Sequence, residues 1–263
     1  MQENEKLKTI SEQKKFTVYD PWGRFGMTKH LGSIYATQRL VKLYNITPGQ
    51  YILDIGCGTG YTACLLAKNY QVDVVALDVS SKLLEVAKKR IIKENVSNKV
   101  TTIEGDAHKL PFPSKVFDAV IAESVLVFCD KTKVSSEVYR VLKPDGVFGN
   151  NEATYLKPPP AQLTSWLSKS SLGIDVKLLQ EDEWQAVYTQ AGFEDVSSTI
   201  YPIKFREEFG NLRVYGIRRY LSAVVQSIFD PSIRRTFFRK DMLKAMRQFS
   251  SYVGYGLYVS RKV

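Results

Sequence analysis

Short apolar runs alternate along the chain with segments of helical periodicity. The runs are typical of strands buried in a parallel sheet. They lie at residues 51–55, 72–77, 100–104, 116–123, 193–201 and 252–262, and another begins at 147–150. Apolar residues recur every three or four positions at 33–44, 62–67, 80–93, 131–142 and 184–191, which predicts helices there. Strands that alternate with helices predict an α/β fold.

The first run leads into three alternating glycines. Asp54 lies near its end, and Gly56, Gly58 and Gly60 follow. This spacing favours a tight turn where the backbone approaches a ligand, at the N-terminus of the next helix, and so favours a nucleotide-like ligand or a carboxylate. The third glycine comes one residue earlier than in the dinucleotide pattern G-x-G-x-x-G, so Tyr61 stands where that pattern has glycine. No G-x-x-x-x-G-K-[ST] occurs, which excludes a P-loop.

A second acid follows the next predicted strand. Asp78 comes 18 residues after Gly60, close to the spacing of about 20 at which an acid binds the hydroxyls of a ribose. A helix cap is the alternative role for Asp78. Ser80 and Ser81 can cap that helix instead, so we favour the ribose role. In the same way, Ser33 is predicted to cap the helix at 33–44.

Three more segments complete a set of motifs. They are G-D-A at 105–107, L-P-F at 110–112 and R-V-L-K-P-D-G at 140–146. Together with Asp54, the glycines and Asp78, they resemble the motifs of class I S-adenosyl-L-methionine (SAM) methyltransferases. Within that class the chain looks most like the small-molecule branch that includes the ubiquinone and menaquinone biosynthesis methyltransferases.

The resemblance implies a fold, a cofactor and a reaction. The fold is a doubly wound, Rossmann-like sheet of seven strands in the order 3-2-1-4-5-7-6, mostly parallel. The helical cap insertions are expected from this chain's own additional segments at 158–179 and 205–251. The reaction is methyl transfer from SAM, with S-adenosyl-L-homocysteine (SAH) as the product. The resemblance also implies that Asp106 faces the adenine amino group. The expected cofactor-binding residues are Asp54, Gly56, Cys57, Gly58, Gly60, Asp78, Val79, Asp106, Ala107 and Glu123.

The catalytic group is not assigned by the sequence. Methyl transfer depends mainly on positioning, and an oxygen or nitrogen acceptor also needs a base. Glu123 and His30 are the candidates, although each also fits a structural role, and His108 fits an exposed loop histidine. The two histidines and three cysteines form neither H-E-x-x-H nor C-x-x-C, so we expect no metal site and a reducing compartment.

Composition shifts and insertions predict the domain organisation. We expect an N-terminal tail and lid at 1–32, a SAM-binding core at 33–157, a cap insertion at 158–179, core again at 180–204, a helical cap insertion at 205–251 and a last core strand at 252–263.

The C-terminal part of the chain is strongly basic. Residues 204–263 contain 13 Lys and Arg against four Asp and Glu, so they carry most of the net charge of +10. The same region contributes eight Phe and Tyr within 205–251, which predicts a pocket for an aromatic or lipophilic small-molecule acceptor. A solvated helical face accounts for the charge most simply, and contact with an anionic membrane surface is the alternative.

Two other functions stay open. A nucleic-acid (RNA) methyltransferase would use the basic region on phosphates, but the chain has no [DN]-P-P-[YFW] after the fourth strand and no appended RNA-binding module. A non-catalytic SAM-binding protein is the other alternative, against which the intact cofactor motifs argue. The polar N-terminus and the lack of a bilayer-length apolar run predict a cytoplasmic protein, with peripheral membrane contact as the alternative. The oligomeric state is not predicted.

Overall fold

The computed structural model describes residues 30–168, 176–204 and 248–263, together with Leu221, Val225 and Phe229. Most of the predicted tail and of the insertion at 205–251 therefore lies outside the described residues, and so do residues 169–175 of the first insertion. The domain boundaries predicted for those segments stay predictions.

The described strands form one mixed sheet. They are β1 (Tyr51–Ile55), β2 (Asp73–Asp78), β3 (Val100–Glu104), β4 (Phe117–Glu123), β5 (Leu142–Tyr155), β6 (Leu179–Gln180), β7 (Glu194–Pro202) and β8 (Val253–Arg261). The order is β3-β2-β1-β4-β5-β8-β7, and the two-residue β6 pairs with β5 beside this path. Strand β8 is antiparallel to both of its neighbours. Because β7 and β8 correspond to the predicted sixth and seventh strands, the predicted order 3-2-1-4-5-7-6 is confirmed.

Helices cover both faces of the sheet. They are α1 (Ser33–Leu43), α2 (Tyr61–Tyr70), α3 (Ser81–Lys93), α4 (Lys131–Val141), α5 (Ala161–Ser168) and α6 (Glu181–Gln190), with a 3₁₀ turn at Leu126–Phe128. Successive strand residues point to opposite faces. Ile52 accordingly belongs to the core beneath α1, α2 and α3, and Leu53 to the core beneath α4 and α6. None of the helices in the described part of the chain is long and apolar enough to cross a bilayer.

Helix α1 is fixed across the middle of the sheet by the tyrosine that follows it. The hydroxyl of Tyr44 lies 2.9 Å from the carbonyl oxygen of Val120 on β4 and 2.6 Å from that of Gly149 on β5. A Cβ at Gly149 would collide with the Tyr44 ring, so glycine is what allows this approach. Residues at the start of α1 are thereby held over the carboxyl half of β4 and β5.

The cap predicted for α1 is wrong. Gly32, and not Ser33, occupies the N-cap position, and no side chain caps the helix. Gly32 has a φ of +74°, and a Cβ there would lie 2.5 Å from Cζ of Tyr255. Positive φ and this close contact together select glycine. The cap predicted for α3 is confirmed, since the side chain of Ser80 accepts a hydrogen bond from the backbone N–H of Leu83.

The two predicted insertions meet at the carboxyl end of β5. Leu163 of α5 and Leu178 come from the first insertion, and Phe249 comes from the end of the second. They form a small apolar core with Tyr155, the last residue of β5. The described parts of both insertions therefore pack at the edge of the sheet where the parallel strands end.

Candidate active site

The three glycines after β1 form a turn in the left-handed region. Gly56, Gly58 and Gly60 have φ values of +65°, +53° and +72°. A Cβ at Gly56 would collide with Val125, and a Cβ at Gly60 would lie 3.0 Å from the Cβ of Ala87 on α3. At Gly58, the nearest atom to such a Cβ within the described part of the chain is the backbone oxygen of Gly56, 4.0 Å away. The outer glycines therefore serve protein packing, whereas the middle one faces open space.

Asp78 joins this turn to the start of α3. Its Oδ2 accepts a hydrogen bond of 2.8 Å from the backbone N–H of Gly58, and its Oδ1 accepts one of 2.8 Å from that of Ser80. Asp78 therefore accepts the backbone amide of Ser80, although the side chain of Ser80 caps the helix. A carboxylate has about four acceptor positions, and these two amides use two of them.

Arg90 holds the turn from the opposite side, and the sequence analysis missed it. Its Nε donates to the carbonyl oxygen of Thr59 at 2.8 Å, and its guanidinium lies 5.7 Å from the centre of the Tyr61 ring. Cys57 is buried, and its backbone N–H donates to the carbonyl oxygen of Leu77 at 3.0 Å. Cys57 thus takes part in the turn through its backbone.

The loop after β3 carries Asp106 and is braced by a histidine. Asp106 Oδ1 lies 2.6 Å from Nδ1 of His108, and Nε2 of His108 accepts a hydrogen bond from the backbone N–H of Asp130 at 3.0 Å. This second bond assigns the proton to Nδ1. His108 therefore ties the loop to the start of α4.

The L-P-F and R-V-L-K-P-D-G motifs are in contact. Arg140 donates to the carbonyl oxygen of Phe112 at 2.7 Å and to that of Leu110 at 3.1 Å, and it pairs with Glu137. Glu137 in turn accepts the backbone N–H of Leu110 at 2.8 Å. The two distant motifs thus form one brace for the loop that carries Asp106.

Glu123 ends β4 in a buried group of polar side chains. Its Oε1 accepts a hydrogen bond of 2.7 Å from Thr62, and its Oε2 accepts one of 2.9 Å from Thr37. His30 Nε2 lies 3.1 Å from the same Thr37 oxygen, and Asn151 Nδ2 lies 3.3 Å from His30 Nδ1. The sequence analysis missed both threonines, because the fold alone brings α1 and α2 to the end of β4.

This arrangement assigns the protons on His30. Thr37 gives its one proton to Glu123, so its oxygen accepts from Nε2–H of His30, and Nδ1 accepts from the amide of Asn151. Both nitrogens of His30 and both oxygens of Glu123 are engaged. The two candidate bases therefore hold each other in place in this arrangement.

Asp54 is the least satisfied acid of the group. It is buried, and its Oδ2 has no hydrogen-bond partner among the residues that the structure describes. Burial raises its pKa well above the ordinary carboxyl range, and the charges of Glu123 and Asp78 raise it further, against the opposing effect of the Ala63 amide. A buried acceptor without a donor is costly, so this position favours a ligand that brings a donor or a positive charge.

The remaining predicted site residues lie along the same edge. Val79 directly follows Asp78 and is 51% exposed, and Ala107 is buried beside Asp106 in the chain. A cavity of ≈ 430 Å³ lies elsewhere, between α4 and α6, with Lys131, Lys177 and Val187 among its lining residues. Among the described residues, no group of three or more His, Cys, Asp and Glu side chains could hold a metal ion.

Comparison with known proteins decides the family. A family model described as "Methyltransferase domain" matches residues 53–149. A 27-O-demethylrifamycin SV methyltransferase of Amycolatopsis mediterranei is 32% identical over 77% of this chain and 78% of its own length. The chain belongs to the class I SAM-dependent methyltransferases. SAM is therefore its cofactor.

A further relative and a solved structure are also similar to the chain. An uncharacterized methyltransferase, YodH of Bacillus subtilis, is 28% identical over 89% of this chain and 93% of its own length. The crystal structure of the [4+2]-cyclase SpnF superposes with a TM-score of 0.70 at 20% identity, over 87% of this chain and 80% of that chain. At this identity the likeness concerns the fold, which this methyltransferase shares with an enzyme named for another reaction.

The raised pKa of Asp54 predicts how the free energy of unfolding changes with pH. Because the pKa of Asp54 is raised in the folded protein, the unfolded chain loses this proton first, and stability falls as the pH rises above the ordinary carboxyl range. Asp54→Asn should therefore raise the free energy of unfolding by about 1–2 kcal/mol at pH 8, and by less near pH 4. Urea unfolding at the two pH values measures this.

Asp73→Asn is the matched control for this measurement. Asp73 is the first residue of β2, at the amino end of the strand. Its side chain is 46% exposed, and its Oδ1 lies 3.2 Å from Nζ of Lys99. Its replacement should change stability by less than about 1 kcal/mol and should not be stabilising. An Asp54→Asn protein less stable than the wild type at pH 8 would contradict a raised pKa of Asp54 in the folded protein.

Proposed function

We propose that this methyltransferase transfers the methyl group of SAM to a small aromatic or lipophilic acceptor, in the crevice at the carboxyl ends of β1 and β4. The main support is the open space at Gly58, between two glycines whose Cβ positions are already filled by protein. Ligands of α/β sheets bind in such crevices, where the strand order reverses.

The acids of this edge fit the parts of SAM. Asp78, whose carboxylate lies against the glycine turn at the end of β2, is suited to accept the ribose hydroxyls, and the half-exposed Val79 offers an apolar contact for the adenine ring. Asp106, with a side chain 63% exposed, is suited to the adenine amino group. The unpartnered Oδ2 of Asp54, near the charge of Glu123, is suited to the ammonium group of the amino-acid part.

In this proposal, the rate of methyl transfer depends mainly on how the chain positions the acceptor relative to SAM. Bound SAM provides an electrophilic methyl group on a sulfonium. The chain aligns the acceptor and keeps water out. Because His30 and Glu123 are hydrogen-bonded to Thr37 and its neighbours, we assign them to orientation of the site and assign no residue as the base.

The nature of the acceptor rests on the insertions and on the relatives. Leu163 and Phe249 pack beside Tyr155, so the described parts of both insertions lie at the carboxyl end of β5, the strand next to β4. The sequence of segment 205–251 contains eight Phe and Tyr residues, which favour a pocket for an apolar acceptor. The relative from Amycolatopsis is named for a small-molecule substrate, which favours a small acceptor over RNA.

Incubation with methyl-labelled SAM and a metabolite extract tests the function. Label should pass into an organic-soluble, low-molecular-weight product, and SAH should form in equal amount. Label recovered in RNA, when total RNA is incubated in place of the extract, would favour the nucleic-acid alternative. SAM binding without transfer to any extract component would favour a non-catalytic protein.

Replacement of Asp78 tests the ribose assignment. Asp78→Ala should weaken SAH binding by about 1–3 kcal/mol, because it removes an acceptor for the ribose and frees the amide of Gly58. Asp73→Ala, at the other end of the same strand, is the control and should bind as the wild type does. Isothermal calorimetry with SAH makes the comparison, and equal affinity of the two variants would reject the assignment.

A second pair of variants tests the open space at Gly58. Gly49 also has a positive φ, +85°, and a Cβ there would meet nothing within 4 Å. Ala at either position should thus have a similar cost in backbone strain, about 1 kcal/mol of stability. Only Gly58→Ala should lose SAH affinity, by about 1–3 kcal/mol, through overlap with the cofactor. If Gly58→Ala and Gly49→Ala bind SAH equally, the crevice is misplaced.

We also propose peripheral contact with an anionic membrane surface, from which a lipophilic acceptor would enter. Leu221, Val225 and Phe229 are helical and spaced by four residues, so they share a face, and they are 55%, 51% and 78% exposed. The surrounding segment 205–251 has ten Lys and Arg against four Asp and Glu. Exposed apolar residues in a basic segment are typical of interfacial contacts.

Vesicle flotation tests the contact. The protein should float with anionic vesicles at low salt and much less with neutral ones. Glu at Leu221, Val225 and Phe229 together should abolish flotation, whereas Glu at the exposed Leu43 and Ile92 should not. Absence of flotation with anionic vesicles at low salt would end the proposal.

A further inference from the structure

Glu152 is a buried carboxyl group on β5 at which three consecutive backbone amides point. Its Oε1 accepts from the N–H of Val125 at 3.1 Å and of Leu126 at 2.9 Å, and its Oε2 accepts from that of Val127 at 3.2 Å. The side chain is fully buried. These amides begin the 3₁₀ turn that follows β4, where the first N–H groups have no partner within the turn. A single carboxylate satisfies all three.

The turn that Glu152 holds forms one wall of the proposed crevice. It directly follows Glu123, and Ser124 between them has a φ of +58°. Val125 is the residue that a Cβ at Gly56 would strike, so its side chain packs against the first glycine of the cofactor turn. A shift of the Glu152 carboxylate would therefore move Val125, which packs against the glycine turn. It would also move Glu123, which precedes the 3₁₀ turn in the chain.

We propose that Glu152 is a positioning residue for methyl transfer, which holds the turn after β4 against the glycine turn so that the SAM crevice keeps its shape. The inference rests on the proposed function, because it concerns the same crevice. Glu152 acts through the backbone of 125–127 and not by contact with the reacting atoms. Its sequence context gives no sign of this role, since it follows two asparagines within a strand.

The ionised form of Glu152 suits three donors best. A protonated carboxyl group turns one oxygen into a donor and so gives up an amide. Burial raises the pKa of Glu152 to about 7, while the three amides and Lys131 on α4 oppose the shift. The other titratable groups that face it are Cys129 before α4, Tyr188 on α6 and Tyr258 on β8.

The ionisation of Glu152 predicts the direction in which SAH affinity changes with pH. If the ionised carboxylate holds the crevice, SAH affinity should rise as the pH increases from 6 to 8, and binding should release protons near pH 7. Glu152→Gln cannot accept all three amides, because its NH₂ group is itself a donor. The variant should bind SAH about tenfold more weakly at pH 8. Between pH 6 and 8 its affinity should change less than that of the wild type, and the contribution of Asp54 to the pH dependence should persist in it.

Asp118→Asn is the matched control. Asp118 lies on the neighbouring strand β4 and also accepts a backbone amide, that of Tyr51 at 2.8 Å. This bond lies at the amino ends of β1 and β4, away from the proposed crevice. Its replacement should lower stability and leave SAH affinity within about twofold of the wild type.

Calorimetric titration with SAH from pH 6 to 8, on folded wild type, Glu152→Gln and Asp118→Asn, decides the matter. A Glu152→Gln protein that melts earlier but binds SAH as the wild type does, or that keeps the wild-type pH dependence, overturns the positioning role alone. If Glu152→Gln does not fold, a wild-type affinity that is constant over this pH range overturns it. A wild type that does not bind SAH at any pH contradicts the proposed function as well.

Discussion

The site depends on the burial of three carboxyl groups at the carboxyl ends of the parallel strands. Asp54, Asp78 and Glu123 lie close enough for the charges of the other two to raise the pKa of Asp54. Asp78 is compensated by two backbone amides, and Glu123 by two threonine hydroxyls. Asp54 keeps one oxygen without a partner. The folded protein thus stores electrostatic repulsion where a positively charged cofactor would relieve it.

The local structure around these acids follows from what holds each of them. The amide of Gly58 can reach Asp78 because the turn lies in the left-handed region, which glycine adopts without strain. Thr37 can reach Glu123 because Tyr44 fixes α1 over β4 and β5. A change in either support would move a donor away from a buried carboxylate, which has a high cost.

Much of the fold could be predicted from apolar patterning, because both faces of the sheet are covered and its strands are continuous apolar runs. The glycine turn and Asp78 could be located by spacing. Their contacts could not, since the bond between Asp78 and Gly58 joins residues that only the packing of β1 beside β2 brings together. The predicted cap at Ser33 failed for a similar reason, because a ring on β8 selects glycine at position 32.

Polar residues inside the sheet were the hardest to interpret. Asn151 and Glu152 interrupt the apolar pattern of β5. The pattern therefore predicts only a strand that begins at 147–150, whereas the strand runs from Leu142 to Tyr155. Each is buried because it has backbone or side-chain partners on neighbouring elements. Such partners come from distant parts of the chain, and local periodicity carries no information about them.

The pKa of Asp54, followed by carbon-13 NMR of its carboxyl group with and without saturating SAH, tests the central claim most directly. The account predicts a pKa above the ordinary carboxyl range in the free protein and a clear decrease when the ammonium group of SAH is bound. An ordinary pKa in the free protein, or a pKa that SAH leaves unchanged or raises, would contradict it.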